Sequence, residues 1–162
     1  MPGMPDESNR LRPDHHPTPF SAAEIRDASQ PGRETRTLVI RAGEEPAVRA
    51  FRFIEGDAHG GFRDVWMETP DGRRLSEPER DHATWLELQQ HASMPVAQTT
   101  IEEETFKIPA GTFDGWRYTR RDGDGVNVFW FARAAPGMPL RYESRVGDEV
   151  VFSSTVIEIR EP

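Results

Sequence analysis

The chain has 162 residues, 35% of them hydrophobic, and this length suits one domain built around a single core. Its formal net charge of −8 argues against a nucleic-acid or anionic-membrane surface, because binding phosphates requires a basic face. It contains no cysteine, which excludes disulfides, thiolate catalysis and cysteine-ligated metals.

The N-terminal stretch is the least patterned part of the chain. Residues 1–19 contain five prolines and no apolar periodicity, which predicts a mobile or loosely packed tail followed by one domain over residues 20–162. The stretch also lacks the basic and apolar regions of an export signal, and no apolar run approaches the roughly 18 residues of a membrane span. We therefore expect a cytoplasmic protein without membrane insertion.

The first half of the domain alternates between helix and strand signals. Ser21 and Glu24 form a capping-box pattern that begins a short helix. Period-two alternation then predicts a meander of three strands, at about 35–41, 47–55 and 62–69. A second capping-box pattern at Ser76 predicts a second helix over residues 76–92.

The last 65 residues have the pattern of an antiparallel meander. With the first hairpin tip at residues 110–111, Glu104 lies opposite Arg117 and Lys107 opposite Asp114, which fixes the predicted register. The run at residues 126–132 is apolar at all but one position, so both faces of this strand should be buried.

These elements together predict an α+β fold. We expect a curved antiparallel sheet of about eight strands, closed incompletely as a barrel, with two short helices packed on it. Across the tight turn before residue 126, any pairing with an odd residue sum places Trp116 and Tyr118 on the same face as Phe129 and Phe131.

Three segments of this region also carry a family likeness. They are P-A-G-T-F-D-G-W-R-Y at residues 109–118, F-W-F-A at 129–132 and P-G-M-P-L-R-Y-E at 136–143. This pattern resembles uncharacterised bacterial proteins whose fold is like that of the lipoprotein-carrier half-barrels. The resemblance implies an incompletely closed antiparallel barrel with helices against its concave side, and it implies no particular activity.

Side chains suited to catalysis or metal binding are sparse. Asp57 and His59, with Asp64 nearby, could supply ligands to a divalent metal, but they lie in a glycine-rich turn and no second cluster has ligand spacing. In the acidic run at 102–104, alternation turns Glu103 away from its neighbours, so a charged strand face is favoured over paired catalytic acids. We predict no catalytic residue, no metal and no cofactor.

Aromatic side chains are the strongest candidates for a site. Five are predicted to bind a ligand on the concave side of the sheet: Trp66, Trp116, Tyr118, Phe129 and Phe131. Core packing is the alternative explanation for them. The favoured function is a non-enzymatic binding module for a small apolar ligand or a partner segment. A protein-interaction or scaffold domain and a metal-dependent hydrolase around Asp57 and His59 are the alternatives.

Overall fold

The computed structural model describes residues 3–162, which form one antiparallel sheet with two short α-helices and two 3-10 turns. The helices are α1 (Ala22–Ala28) and α2 (Trp85–Gln90), and the 3-10 turns are Glu7–Asn9 and Val96–Gln98. The strands are β1 (Glu34–Arg41), β2 (Ala47–Gly56), β3 (Gly60–Glu68), β4 (Glu79–Thr84), β5 (Thr99–Ile108), β6 (Gly111–Asp122), β7 (Gly125–Ala132), β8 (Arg141–Val146) and β9 (Glu149–Arg160). The predicted α+β class is confirmed.

The nine strands lie in the order β4-β3-β2-β1-β9-β8-β7-β6-β5, so β4 and β5 form the two edges and the sheet is not closed. Every pair of neighbours is antiparallel. The apolar run predicted as an interior strand is β7, which lies between β6 and β8. Across β6 and β7, Trp116 pairs with Phe131 and Tyr118 with Phe129, which confirms the predicted sharing of a face.

The sheet has a buried cluster on each side of β7. We call the side on which α1 and α2 pack the helical face. Its core consists of Phe20, Ile25, Phe51, Phe53, Trp85, Met94, Trp116, Tyr118 and Phe131. On the other side of β7, Val128 and Trp130 belong to a second cluster with Phe106 and Ile108. Both sides of β7 are therefore shielded from water, as the apolar run predicts.

The α1 helix begins where the sequence predicts. The Ser21 side chain accepts a hydrogen bond from the Glu24 N–H, and the Glu24 side chain accepts one from the Ser21 N–H, so the capping box is complete.

The predicted helix over residues 76–92 is wrong for its first half. Residues Glu79–Thr84 form β4, which pairs with β3, and the Arg63–Asp81 and Arg80–Asp64 ion pairs connect the two strands. The Ser76 hydroxyl caps no helix and instead accepts a hydrogen bond from the Met67 N–H. The helix begins after Thr84, which caps the Glu87 N–H at 3.0 Å. Pairing with the open edge of β3 thus overrides the local helix signal and supplies the ninth strand.

The predicted register of the β5–β6 hairpin is wrong by two residues. Glu102 lies opposite Arg117, and Lys107 lies opposite Thr112. Arg117 forms ion pairs with both Glu102 and Glu104, so charge pairing does not discriminate between these registers. A slip of two preserves the strand alternation, and therefore the assignment of side chains to faces is unaffected.

The N-terminal segment, residues 3–19, lies against the rest of the protein, and we call it the N-terminal strap. The His16 N–H donates to the Met94 carbonyl, and the Val96 N–H donates to the Asp14 carbonyl, both at 2.9 Å. Thr18 is completely buried. This packing differs from the loose tail expected from the prolines, because the residues between Pro13 and Pro17 keep their N–H and carbonyl groups and form hydrogen bonds with residues 94–96. The division of the chain at residue 19 stays a prediction.

Candidate functional site

A partly open cavity of about 190 Å³ lies on the helical face, between the two helices, the sheet and the loop at residues 136–139. Most of its lining is apolar, and the lining includes Phe51, Phe53, Leu88, Phe129, Phe131 and Met138. Its charged or ionisable lining residues are Arg33, Arg63 and His91, and among the residues that the structure describes no acidic side chain lines it. The cavity is thus an apolar hollow with a basic margin.

Strand alternation aims four phenylalanine rings at this space. Phe51 and Phe53 are two residues apart on β2, and their rings meet edge to face at 5.7 Å between centroids. Phe129 and Phe131 are two residues apart on β7, with stacked rings at 6.4 Å. Since three strands separate β2 and β7 in the sheet order, the cavity requires that β1, β9 and β8 have assembled between them.

The five residues predicted to bind a ligand do not form one group in the structure. Phe129 and Phe131 line the cavity, whereas Trp116 and Tyr118 lie on the same face but outside its lining. The Trp116 ring packs edge to face on Phe20 at 5.9 Å, and its Nε1–H donates to the Gly3 carbonyl at 2.8 Å. The N-terminal strap therefore occupies the surface that was predicted to receive a ligand at Trp116. The binding role of the five residues stays a prediction.

Trp66 lies apart from the other four. Its ring faces the guanidinium groups of Arg36, Arg52 and Arg74, at 6.0, 5.8 and 4.7 Å from the ring centroid, and its Nε1–H donates to Glu68 at 2.8 Å. Val65, the residue before it, packs on the core of the helical face. Alternation along β3 thus turns the Trp66 ring to the opposite face, among charged side chains.

Tyr118 links the sheet to the N-terminal strap. Its side chain is completely buried, and its hydroxyl donates to the Pro17 carbonyl at 2.8 Å. Burial raises the pKa of the phenol well above its ordinary value, so the hydroxyl stays protonated and remains a donor.

We expect Tyr118→Phe to loosen the strap while leaving the sheet intact. The change leaves the Pro17 carbonyl without its donor, and it should lower the free energy of unfolding by about 1 kcal/mol. Amide exchange at His16, in the strap, should accelerate. Tyr142→Phe is the control, because Tyr142 donates to Asn127 within the sheet. Equal strap exchange in the two variants would contradict this role of Tyr118.

Three residues that line the cavity were not among the predicted site residues: Phe51, Phe53 and Met138. The alternation of β2 already places Phe51 and Phe53 on one side, and this was visible in the sequence. The alternation of side chains does not show that β2 and β7 line the same cavity. Met138 lies in a loop, where no periodicity points to its direction.

The glycine-rich turn at Asp57 is explained by its own backbone. The Asp57 carboxylate accepts hydrogen bonds from the N–H groups of His59, at 2.8 Å, and Gly60, at 3.0 Å. These bonds lower the pKa of Asp57. No cluster of three or more His, Asp or Glu side chains suited to a metal ion occurs within residues 3–162. In the acidic run, Glu102 and Glu104 bind Arg117, and Glu103 pairs with Arg133 at 3.6 Å.

Comparison with known proteins shows a relationship at the level of fold. No protein-family model matches the chain, and no curated protein matches its sequence. Among solved structures, the chain is similar to MucB, in the crystal structure of MucB in complex with MucA(peri), with a TM-score of 0.57 and 12% sequence identity. The match covers 86% of this chain and 53% of the other, so the chain spans about half the length of MucB. The half-barrel resemblance is thus supported for the fold and not for a sequence family.

Two sequence-based expectations concern where the protein is located. The prediction of a cytoplasmic protein is contradicted, because the similar structure is that of a protein bound to MucA(peri), a periplasmic partner. For the membrane, none of the helices within residues 3–162 has the length and apolar character needed to cross a bilayer.

Proposed function

We propose that this protein is a non-enzymatic binding module that receives an apolar side chain of a partner polypeptide in the cavity beside Phe129 and Phe131. The observation that carries the proposal is the apolar hollow between the two helices and the sheet. The fold likeness adds support, because MucB was solved with a protein partner, MucA(peri).

The size of the cavity favours a side chain over a larger free ligand. Pockets for drug-sized ligands measure about 300–1,000 Å³, whereas a dry apolar cavity of about 150 Å³ holds one benzene ring. At about 190 Å³, the hollow has room for one aromatic or branched aliphatic group. A partner segment can place such a group in the cavity while the rest of the segment lies outside.

The polar residues in the lining favour binding over catalysis. The Ser29 hydroxyl donates to the Ile25 carbonyl at 2.6 Å, so its proton is held by the backbone of α1. Arg33 forms an ion pair with Glu161, and Arg63 forms one with Asp81. None of these contacts forms the nucleophile–base pair that covalent catalysis requires.

A small apolar probe tests the cavity directly. We expect toluene to shift the methyl resonance of Met138, which lines the cavity, in protein with ¹³C-labelled methionine methyl groups. Met4, which is 56% exposed, should not shift and serves as an internal reference. Ala92→Leu adds a larger side chain to the cavity lining and should abolish the Met138 response.

The matched control is Ala97→Leu, because Ala97 is exposed and lies outside the cavity lining. This variant should bind toluene like the unmodified protein. No saturable shift at Met138, or a shift that Ala92→Leu leaves unchanged, would contradict the proposed function.

A further inference from the structure

Two arginines flank one wall of the cavity on the helical face. Phe51 lines the cavity, and the guanidinium carbons of Arg63 and Arg49 lie 5.2 and 5.9 Å from its ring centroid. Arg49 and Phe51 are two residues apart on β2, so alternation places them on the same face. A chain with a net charge of −8 therefore presents two cations beside an apolar hollow.

The two cations differ in their partners. Arg63 donates two hydrogen bonds to the Asp81 carboxylate, at 3.0 and 2.9 Å. Arg49 is half-buried, and within residues 3–162 no side chain forms an ion pair or hydrogen bond with its guanidinium group. Asp81 is the acidic group that acts on Arg49, and its two oxygens are already engaged with Arg63. Asp81 therefore pairs directly with Arg63 and acts on Arg49 only at a distance.

The neighbour of Arg49 across the sheet adds a second unpaired polar group. Thr37 lies directly opposite Arg49 in the β1–β2 register, and its buried hydroxyl has no hydrogen-bond partner among the residues described. A partly buried cation without a partner is costly, because burial removes water that would otherwise solvate the charge. Burial lowers the pKa of Arg49, the positive charge of Arg63 lowers it further, and Asp81 opposes both.

We propose that the partner segment carries an acidic residue next to its apolar one, and that Arg49 binds the carboxylate of this residue beside the cavity. The inference rests on the proposed function and specifies the chemistry of the partner. A carboxylate is the complement that the surroundings of Arg49 lack, and arginine binds carboxylates through a planar fork of N–H donors. The apolar side chain would fill the hollow, and the carboxylate would neutralise the guanidinium group of Arg49 beside Phe51.

Two peptides that differ only in charge test this site. Acetyl-Phe-Glu-amide and acetyl-Phe-Gln-amide offer the same apolar group, and only the first offers a carboxylate. At low ionic strength we expect the Glu peptide to bind about tenfold more tightly, as measured by titration of the Met138 methyl resonance. Added salt should reduce this preference, since the arginine remains partly exposed.

Arg49→Gln should abolish the preference for the Glu peptide, so that the two peptides bind this variant with equal affinity. Arg52→Gln is the matched control, because Arg52 lies on the same strand with its side chain on the opposite face, near Trp66. It should keep the tenfold preference. The unperturbed Met94 resonance, from the core of the helical face, verifies that each variant is folded.

The outcomes separate the two proposals. If both peptides shift Met138 with equal affinity, or if Arg49→Gln keeps the preference, the carboxylate site is overturned while the binding function stands. If neither peptide nor toluene shifts Met138, the binding function itself is overturned.

Discussion

Gly115→Ala is expected to unfold the protein or to lower its free energy of unfolding by about 3 kcal/mol or more. Gly115 lies in β6 opposite Ala132 of β7. A methyl group added to its Cα would lie 1.7 Å from the Phe131 carbonyl oxygen and 2.7 Å from its carbonyl carbon. Because both atoms belong to the backbone, no rotamer change relieves the overlap, and β6 and β7 would have to separate.

Urea denaturation followed by tryptophan fluorescence measures this effect. Trp116, the residue after Gly115, and Trp130 are both buried next to the altered position. The control is Gly125→Ala in β7, where an added methyl group would lie 3.3 Å from its nearest neighbour, the Asp122 carbonyl oxygen. This variant should remain folded with a much smaller loss. Equal stability of the two variants would show that the approach of β6 to β7 is not a constraint.

The elements that the sequence predicts correctly depend on local contacts. The run at β7, the capping box at Ser21 and the face shared by Trp116 and Phe131 each follow from residues that are close in the chain or joined by a tight turn. Alternation is robust here because a two-residue slip, such as that in the β5–β6 hairpin, leaves the faces unchanged.

The predictions fail where contacts with residues distant in the sequence determine the local structure. The capping-box pattern at Ser76 predicts that residues 79–84 are helical. These residues instead form β4, because they pair with the edge of β3, which no local pattern reveals. The prolines of the N-terminal strap predict a mobile or loosely packed tail, and they do not reveal that the Pro17 carbonyl accepts a hydrogen bond from Tyr118, 101 residues away. In both cases tertiary pairing outweighs local propensity.

The candidate site was predictable only in part, for the same reason. Composition points to aromatic side chains, and alternation correctly joins Phe129 to Phe131. Neither can show that Phe51 and Phe53 face them across the sheet, because three strands lie between. Trp66 was grouped with the others by residue type, although its neighbours in the structure are arginines of the opposite face.

Those arginines belong to an ionic cluster centred on Arg36. Replacing Arg36 is the second change that we expect to have a large effect on stability. Arg36 donates to both oxygens of Glu68 at 3.1 Å and also forms ion pairs with Glu34 and Glu158. Glu34 and Glu68 are almost fully buried, with exposed fractions of 6% and 7%. Arg36→Met keeps much of the volume but leaves these carboxylates without their common cation, and it should cost about 3–5 kcal/mol at neutral pH.

The cost of Arg36→Met should depend on pH in a defined direction. Hydrogen bonds from Arg36 lower the pKa of Glu68, burial opposes them, and the Trp66 N–H adds to the lowering. A lowered carboxyl pKa contributes stability that is present above the ordinary value of 4.5 and is lost as the pH falls through the folded-state pKa. The difference between the variant and the unmodified protein should therefore be largest near pH 7 and shrink below about pH 4.

Urea denaturation at pH 7 and at pH 3.5 measures that difference, with Arg41→Met as the control. Arg41 and Glu44 form an ion pair on the surface, with side chains 60% and 62% exposed, so its removal should leave the unfolding midpoint nearly unchanged at both pH values. A loss for Arg36→Met that is equal at pH 7 and pH 3.5 would mean that packing, rather than charge, is what Arg36 contributes. In that case the ion pairs of Arg36 with Glu34 and Glu68 would not be what stabilises the face of the sheet opposite the cavity.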